Sequence, residues 1–83
     1  MESYIGVILL FAGNFAPKGW RNCDGSLLPI NQNQALFSIL GTMYGGDGQT
    51  TFALPNLAAV ANTGEQADIK YIICIEGIYP PRD

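Results

Sequence analysis

The sequence predicts a small α+β domain, mainly β, with a strand near each end of the chain. Three observations predict it. Tyr4–Ala12 and Lys70–Tyr79 are apolar runs rich in β-branched and aromatic residues. Between them, Leu36, Phe37 and Leu40 recur at the spacing of one helix face. The remainder is cut into short pieces by Gly, Pro and Asp-Gly pairs. With 83 residues, the chain has room for one domain, 1–83.

Tyr4–Ala12 reads as a strand. Ile5, Val7, Leu9 and Phe11 fall in one phase, Ile8 and Leu10 in the other. Both phases are apolar, which predicts a strand covered on both faces. Gly6 interrupts it and marks a close backbone approach. Gly13–Gly19 is a loop. Trp20–Cys23 is short and extended, and Asp24-Gly25 is a tight-turn pair. Ser26–Ile30 is extended again, with Pro29 at its end. Asn31 is placed to cap a helix over 32–40, with Gln34 completing a capping box. Gly41 is placed to end it. A helix this short needs a sheet to dock on. Tyr44–Thr51, YGGDGQTT, reads as a loop set by its backbone or a hairpin tip. Thr51–Leu54 is a brief strand stopped by Pro55, and 58–69 is a short connecting loop. In Lys70–Tyr79, Tyr71, Ile73, Ile75 and Tyr79 share one phase.

Composition excludes several functions. The sequence has no histidine, which removes Ser-His-Asp and Cys-His nucleophile systems and His-containing zinc sites. Two cysteines cannot make a Cys₄ site. Four scattered basic residues against seven acidic ones, net charge −3, are not the footprint of a nucleic-acid binder. Val7–Ala12 is the longest apolar run, far below the ~20 residues that span a bilayer. Met1-Glu2-Ser3 has no basic n-region, which predicts no Sec leader. Charged residues are only 13% of the chain and hydrophobic ones 48%. Such a chain has little charge with which to coat its surface. A domain this small buries only about 60% of its unfolded surface. Contact with other chains is the expected further source of stability.

Individual motifs are weak as chemistry. GGDGQTT lacks the Gly-Lys-Ser/Thr of a phosphate loop. Asp24 and Asp47 each read as the acceptor of their own Asp-Gly turn, not as a calcium pair. Cys23 and Cys74 read as two buried thiols or as a bridge closing a long loop. Nothing in the spacing alone implies a bridge, so the thiols are the preferred reading. Trp20 reads as core covering the helix, with a carbohydrate platform as the other reading.

The segments IGVILLFAGNFAPKGWRNCDGSLLPI and NQALFSILGTMYGGDGQTTFALPNL carry a resemblance. In order and spacing, Ile5–Leu57 resembles the phage tail collar domain, in the form found in bacterial microcystin-dependent protein relatives. The ending YIICIEGIYPP is similar to the last strand of longer members. Those members follow the LP.L motif with an Arg-Gly-Arg stretch and a larger region, replaced here by the short loop. The resemblance implies a structural or receptor-binding part of a tail, often trimeric, and not an enzyme. With the larger region missing, assembly is the simpler role.

The expected function is self-assembly into a homo-oligomer, a trimer or helical fibre. Its setting is a phage tail, a tail-like particle or an extracellular filament, with other tail-particle proteins as further partners. The expected assembly residues are Ile5, Val7, Leu9 and Phe11 on the first strand, and Tyr71, Ile73, Ile75 and Tyr79 on the last. Asp24, Gly25, Gly45, Gly46, Asp47 and Gly48 are expected to define the loops. The alternative is a fibre-tip module that holds a cell-surface glycan through Trp20 and Tyr44. An enzyme, the third class, would draw its acid or base from Asp24, Asp47, Glu65, Asp68 or Glu76. No catalytic residue, metal or cofactor is expected, nor any nucleic acid or membrane insertion.

Overall fold

The computed structural model describes residues 3–13, 15–57 and 69–81. The predicted loop over 58–69, with Glu65 and Asp68, lies outside the described residues except for its last residue. Strands β1 (Ile8–Phe11), β2 (Trp20–Asn22) and β3 (Leu27–Pro29) come first. A 3₁₀ turn (Ile30–Gln32) and helix α1 (Gln34–Leu40) follow. Strands β4 (Thr51–Ala53) and β5 (Lys70–Cys74) complete the chain. The architecture is mainly β with one short helix, as the periodicity predicts. Residues near the two ends do pair, because β5 runs antiparallel between β1 and β2 in a three-stranded sheet. Strands β3 and β4 form a separate antiparallel pair.

The first strand is shorter than its apolar run. Val7 N–H bonds to the Tyr4 carbonyl, which closes a turn over residues 4–7. Gly6 occupies that turn at φ +94, a conformation that suits glycine. Gly6 N–H then donates to the Cys74 carbonyl, while Cys74 N–H donates to the Val7 carbonyl. Two residues thus oppose one, which is a β-bulge. The extra residue breaks the alternation, so Ile5 does not share the phase of Leu9 and Phe11. The last strand ends early too. The N–H groups of Ile75 and Glu76 both turn onto the Gly19 carbonyl. The chain then meets the N-terminal segment in a parallel bridge between Tyr4 and Ile78.

The core lies on one face of the three-stranded sheet. Ile5, Cys23, Leu28, Leu36, Phe52, Leu54 and Ile73 are buried there together. Phe37 tilts against Phe52, ring centres 5.4 Å apart. Ile39 and Leu40 also pack on the core, so the apolar stripe of α1 does dock as expected. The predicted cap differs. The helix starts at Gln34 after Asn33, whose side chain turns back to the Pro29 carbonyl at 3.0 Å and caps nothing. Pro29 sits in extended geometry and the 3₁₀ turn absorbs the residues that would have been the first turn. The Asn31–Gln34 capping box therefore does not form. Gly41, at φ +57, ends the helix. Asp24-Gly25 does form a tight turn, with Gly25 at φ +82. It carries the chain from one sheet to the other, and Asp24 bridges to Asn56.

Candidate assembly surface and adjoining clefts

Strand register decides which predicted surface residues are available. Ile8 faces Ile73 and Leu10 faces Tyr71, so these four share the core side of the sheet. Leu9 faces Ile72 and Phe11 faces Lys70, with Trp20 beside Cys74 on that same outer side. The eight predicted assembly residues therefore divide. Ile73 is 0% exposed and Ile5 is buried beside it, both in the chain's own core. Tyr71 and Ile75 pack against that core and are half-buried. Ile5 and Ile73 belong to the chain's own core, and Tyr71 and Ile75 pack at its margin. They lie on the core side because the bulge at Gly6 and the pairing with β1 and β2 turn that phase inward. Val7 and Phe11 are half-buried, and Leu9 is 41% exposed. Tyr79 is exposed, with its hydroxyl 2.6 Å from Ser38 Oγ on the helix.

The outer side of the sheet carries an apolar groove. Leu9, Phe11, Pro17, Trp20 and Ile72 line it, with Lys18 at its margin. Trp20 is thus corrected from the core to the outer face. It sits across the sheet from the helix it was expected to cover, because its phase matches Cys74 and not Ile73. Ile72 is buried here, yet it lies outside the main core. The loop through Pro17 and Lys18 borders this groove, while Ser3 and the turn at Glu76 and Gly77 cover Cys74 on the same side.

A second, polar cleft opens beside it, lined by Ala16, Trp20, Arg21, Asn22, Asp24 and Ser26. The buried Oδ1 of Asn22 has no hydrogen-bond partner. Sequence reasoning missed Arg21, Asn22 and Ser26 as a group. Arg21 and Asn22 belong to a strand too short to show periodicity. Tyr44 is exposed and lines neither cleft, so the structure does not bring it together with Trp20 there.

The loop residues are held by local hydrogen bonds. Both the N–H and the hydroxyl of Ser26 donate to Asp24 Oδ1, which holds that carboxyl below its ordinary range. Gly25 takes φ +82 in this turn. Asp47 Oδ1 accepts the N–H groups of Gln49, Thr50 and Thr51 at 2.9, 2.8 and 2.9 Å. Its Oδ2 accepts the Thr50 hydroxyl. These donors, Thr50 N–H foremost, push the Asp47 carboxyl far below the usual carboxylate range. Gly45, Gly46 and Gly48 all have positive φ around it. Both carboxylates accept from their own turns, an arrangement suited to holding loops rather than moving protons. Cys23 and Cys74 are buried free thiols on opposite sides of the sheet, and burial pushes Cys23 up to about 11. Among the described residues, no group of three or more His, Cys, Asp or Glu could hold a metal ion. No described helix is long and apolar enough to cross a membrane.

Comparison with known protein families decides what kind of domain carries this surface. Residues 6–61 match the Phage Tail Collar Domain. The chain belongs to the phage tail collar domain family. The match covers both Asp-Gly turns, the helix and β1 to β4 of this collar domain. A search of the curated proteins returns no match. The family is structural and of phage tails, which agrees with a collar domain whose Asp24 and Asp47 carboxylates accept hydrogen bonds from their own turns.

Proposed function

We propose that this collar domain is a structural subunit that self-associates into an oligomer or fibre. Its setting is a phage tail, a tail-like particle or an extracellular filament. One observation carries the reading. The outer sheet side carries a groove lined by Leu9, Phe11, Pro17, Trp20 and Ile72, apolar apart from Lys18, with Leu9 exposed in it. A contiguous apolar surface on a small domain marks a protein contact. Other tail-particle proteins are the natural further partners. Negative-stain electron microscopy with the mass in solution tests the reading. Fibres or a closed oligomer are expected, and a monomer throughout the accessible concentration range overturns it.

A second reading has its own observation. The polar cleft joins an aromatic wall, Trp20, to Arg21, Asp24 and the unpartnered Asn22 Oδ1. Sugars offer hydroxyl donors and apolar ring faces together, and this cleft suits both. On this reading the domain is a glycan-holding fibre tip, with Trp20 in the site and Tyr44 outside it. Binding to immobilised surface glycans that is lost in Trp20→Ala supports it. Absence of binding across such a panel overturns it.

A further inference from the structure

We propose that β1 is the strand through which two copies of this chain join, pairing antiparallel about Leu9 into one continuous sheet. The inference rests on the self-association reading and names the surface that reading leaves open.

The hydrogen-bond pattern sets the geometry. Cys74 N–H bonds to the Val7 carbonyl, so Leu9 and Phe11 are the β1 residues that exchange bonds with β5. Ile8 and Leu10 then point their N–H and C=O groups away from β5. In the order β1-β5-β2, that direction is the outer edge of the sheet. Among the described residues, nothing pairs with it. A row of open backbone groups is a template for another extended strand.

The two edges of the sheet are treated differently. On β2, the Trp20 N–H is taken by the Pro17 carbonyl, and Arg21 stands exposed in the strand. A short strand with a charge and a folded-back loop resists pairing. Among the described residues, β1 carries neither a charge nor a folded-back loop on its outer edge. Its residues are Ile-Leu-Leu-Phe, Leu10 is 58% exposed, and residues 3–17 contain no charged side chain.

The occupant best matched to this edge is a second copy. In an antiparallel pair centred on Leu9, Ile8 exchanges both backbone bonds with the partner's Leu10, and Leu10 does so with the partner's Ile8. Leu9 meets the partner's Leu9, and Phe11 meets the partner's Val7. Every cross-strand pair is apolar and no like charges oppose each other. The outer side of the pair then joins two apolar grooves, each lined by Leu9, Phe11 and Trp20, across the twofold axis. The edge therefore satisfies its backbone groups and extends its apolar side in one contact.

The test uses the full chain with Leu9→Lys and Leu9→Glu, an exposed site whose variants are first checked for an unchanged circular dichroism spectrum. Sedimentation measures association, and hydrogen exchange reads the Ile8 and Leu10 amides. The expected result is at least tenfold weaker association of each variant alone and recovery in their equimolar mixture. Slowed exchange at Ile8 and Leu10 that rises with wild-type concentration is also expected. An associated wild type whose assembly is indifferent to both variants overturns the β1 contact and leaves self-association standing. Ile8 and Leu10 amides protected in a dilute monomer overturn it as well, since the edge is then closed within one chain. A wild type that never associates overturns self-association and the contact together. Should the variants fail to fold, the wild-type exchange result alone decides.

Discussion

Gly46 lies against the backbone of Phe52 so closely that a Cβ there would sit 2.7 Å from the Thr51 carbonyl oxygen and closer still to the Phe52 Cα. Phe52 is 0% exposed at the centre of the core. The loop glycine and the core strand are thus one packing unit. Gly46 also has φ +93. Gly46→Ala is expected to cost about 3 kcal/mol, adding the left-handed penalty to overpacking against backbone that cannot yield. Gly41 is the control. A Cβ there meets nothing within 4 Å, so Gly41→Ala pays the backbone term alone, about 2 kcal/mol for its φ +57, ψ −145 conformation. Urea unfolding of both variants measures the difference.

The carboxyl of Asp47 makes the fold sensitive to acid in a definite direction. Its folded pKa lies well below the ordinary value because three backbone N–H groups and a hydroxyl donate to it. A carboxyl depressed on folding contributes stability that is complete above its unfolded pKa. That contribution is lost as pH falls toward the folded value. The melting temperature should therefore hold above about pH 5 and fall progressively below pH 4, near the unfolded aspartate value. Asp24, lowered by Ser26, adds to the same slope. Asp47→Asn should melt lower at pH 7 and show a shallower fall between pH 4 and pH 2. Thermal scans across that range check both.

Phe52 is the side chain whose loss should be least tolerated. It is fully buried and carries the contact with Phe37. Phe52→Ala is expected to cost about 4 kcal/mol. That is a large share of the about 5–15 kcal/mol available to a typical domain. Loss of cooperative unfolding, or unfolding at much lower urea, is the expected observation.

The two thiols should stay unreacted in the native state. Cys23 and Cys74 are both buried, sit on opposite sides of the sheet, and have raised pKa values from burial. A raised pKa leaves little thiolate to react at pH 8. Alkylation followed by intact-mass measurement should find no label on the folded chain and two labels after denaturation. A mass shift showing a bridge in the purified protein would contradict this.

Much of the local structure was legible in the residues. Asp24-Gly25, Gly41 and the Gly-Gly-Asp-Gly loop act through φ and through hydrogen bonds to their immediate neighbours, so their roles travel with the sequence. The stripe of Leu36, Phe37 and Leu40 likewise announces a docked helix. The cap did not, because Asn31 and Asn33 are both good cap residues. The chain's arrival from Pro29 in extended geometry decided the start.

By itself, then, the sequence determined the two Asp-Gly turns, where α1 lies, and that strands near its two ends are apolar enough to need covering. Those features depend on residues a few positions apart. Only the tertiary structure decided which side of each strand meets the core. Side-chain phase inverts with a single inserted residue, and the bulge at Gly6 supplies one. Pairing of β5 with both β1 and β2 then turned Ile73 and Tyr71 inward, left Leu9 and Trp20 on the outer side, and put β1 at an edge. Such pairing joins residues 50 and more positions apart, as Asn22 and Ile72 are, and no local pattern encodes it.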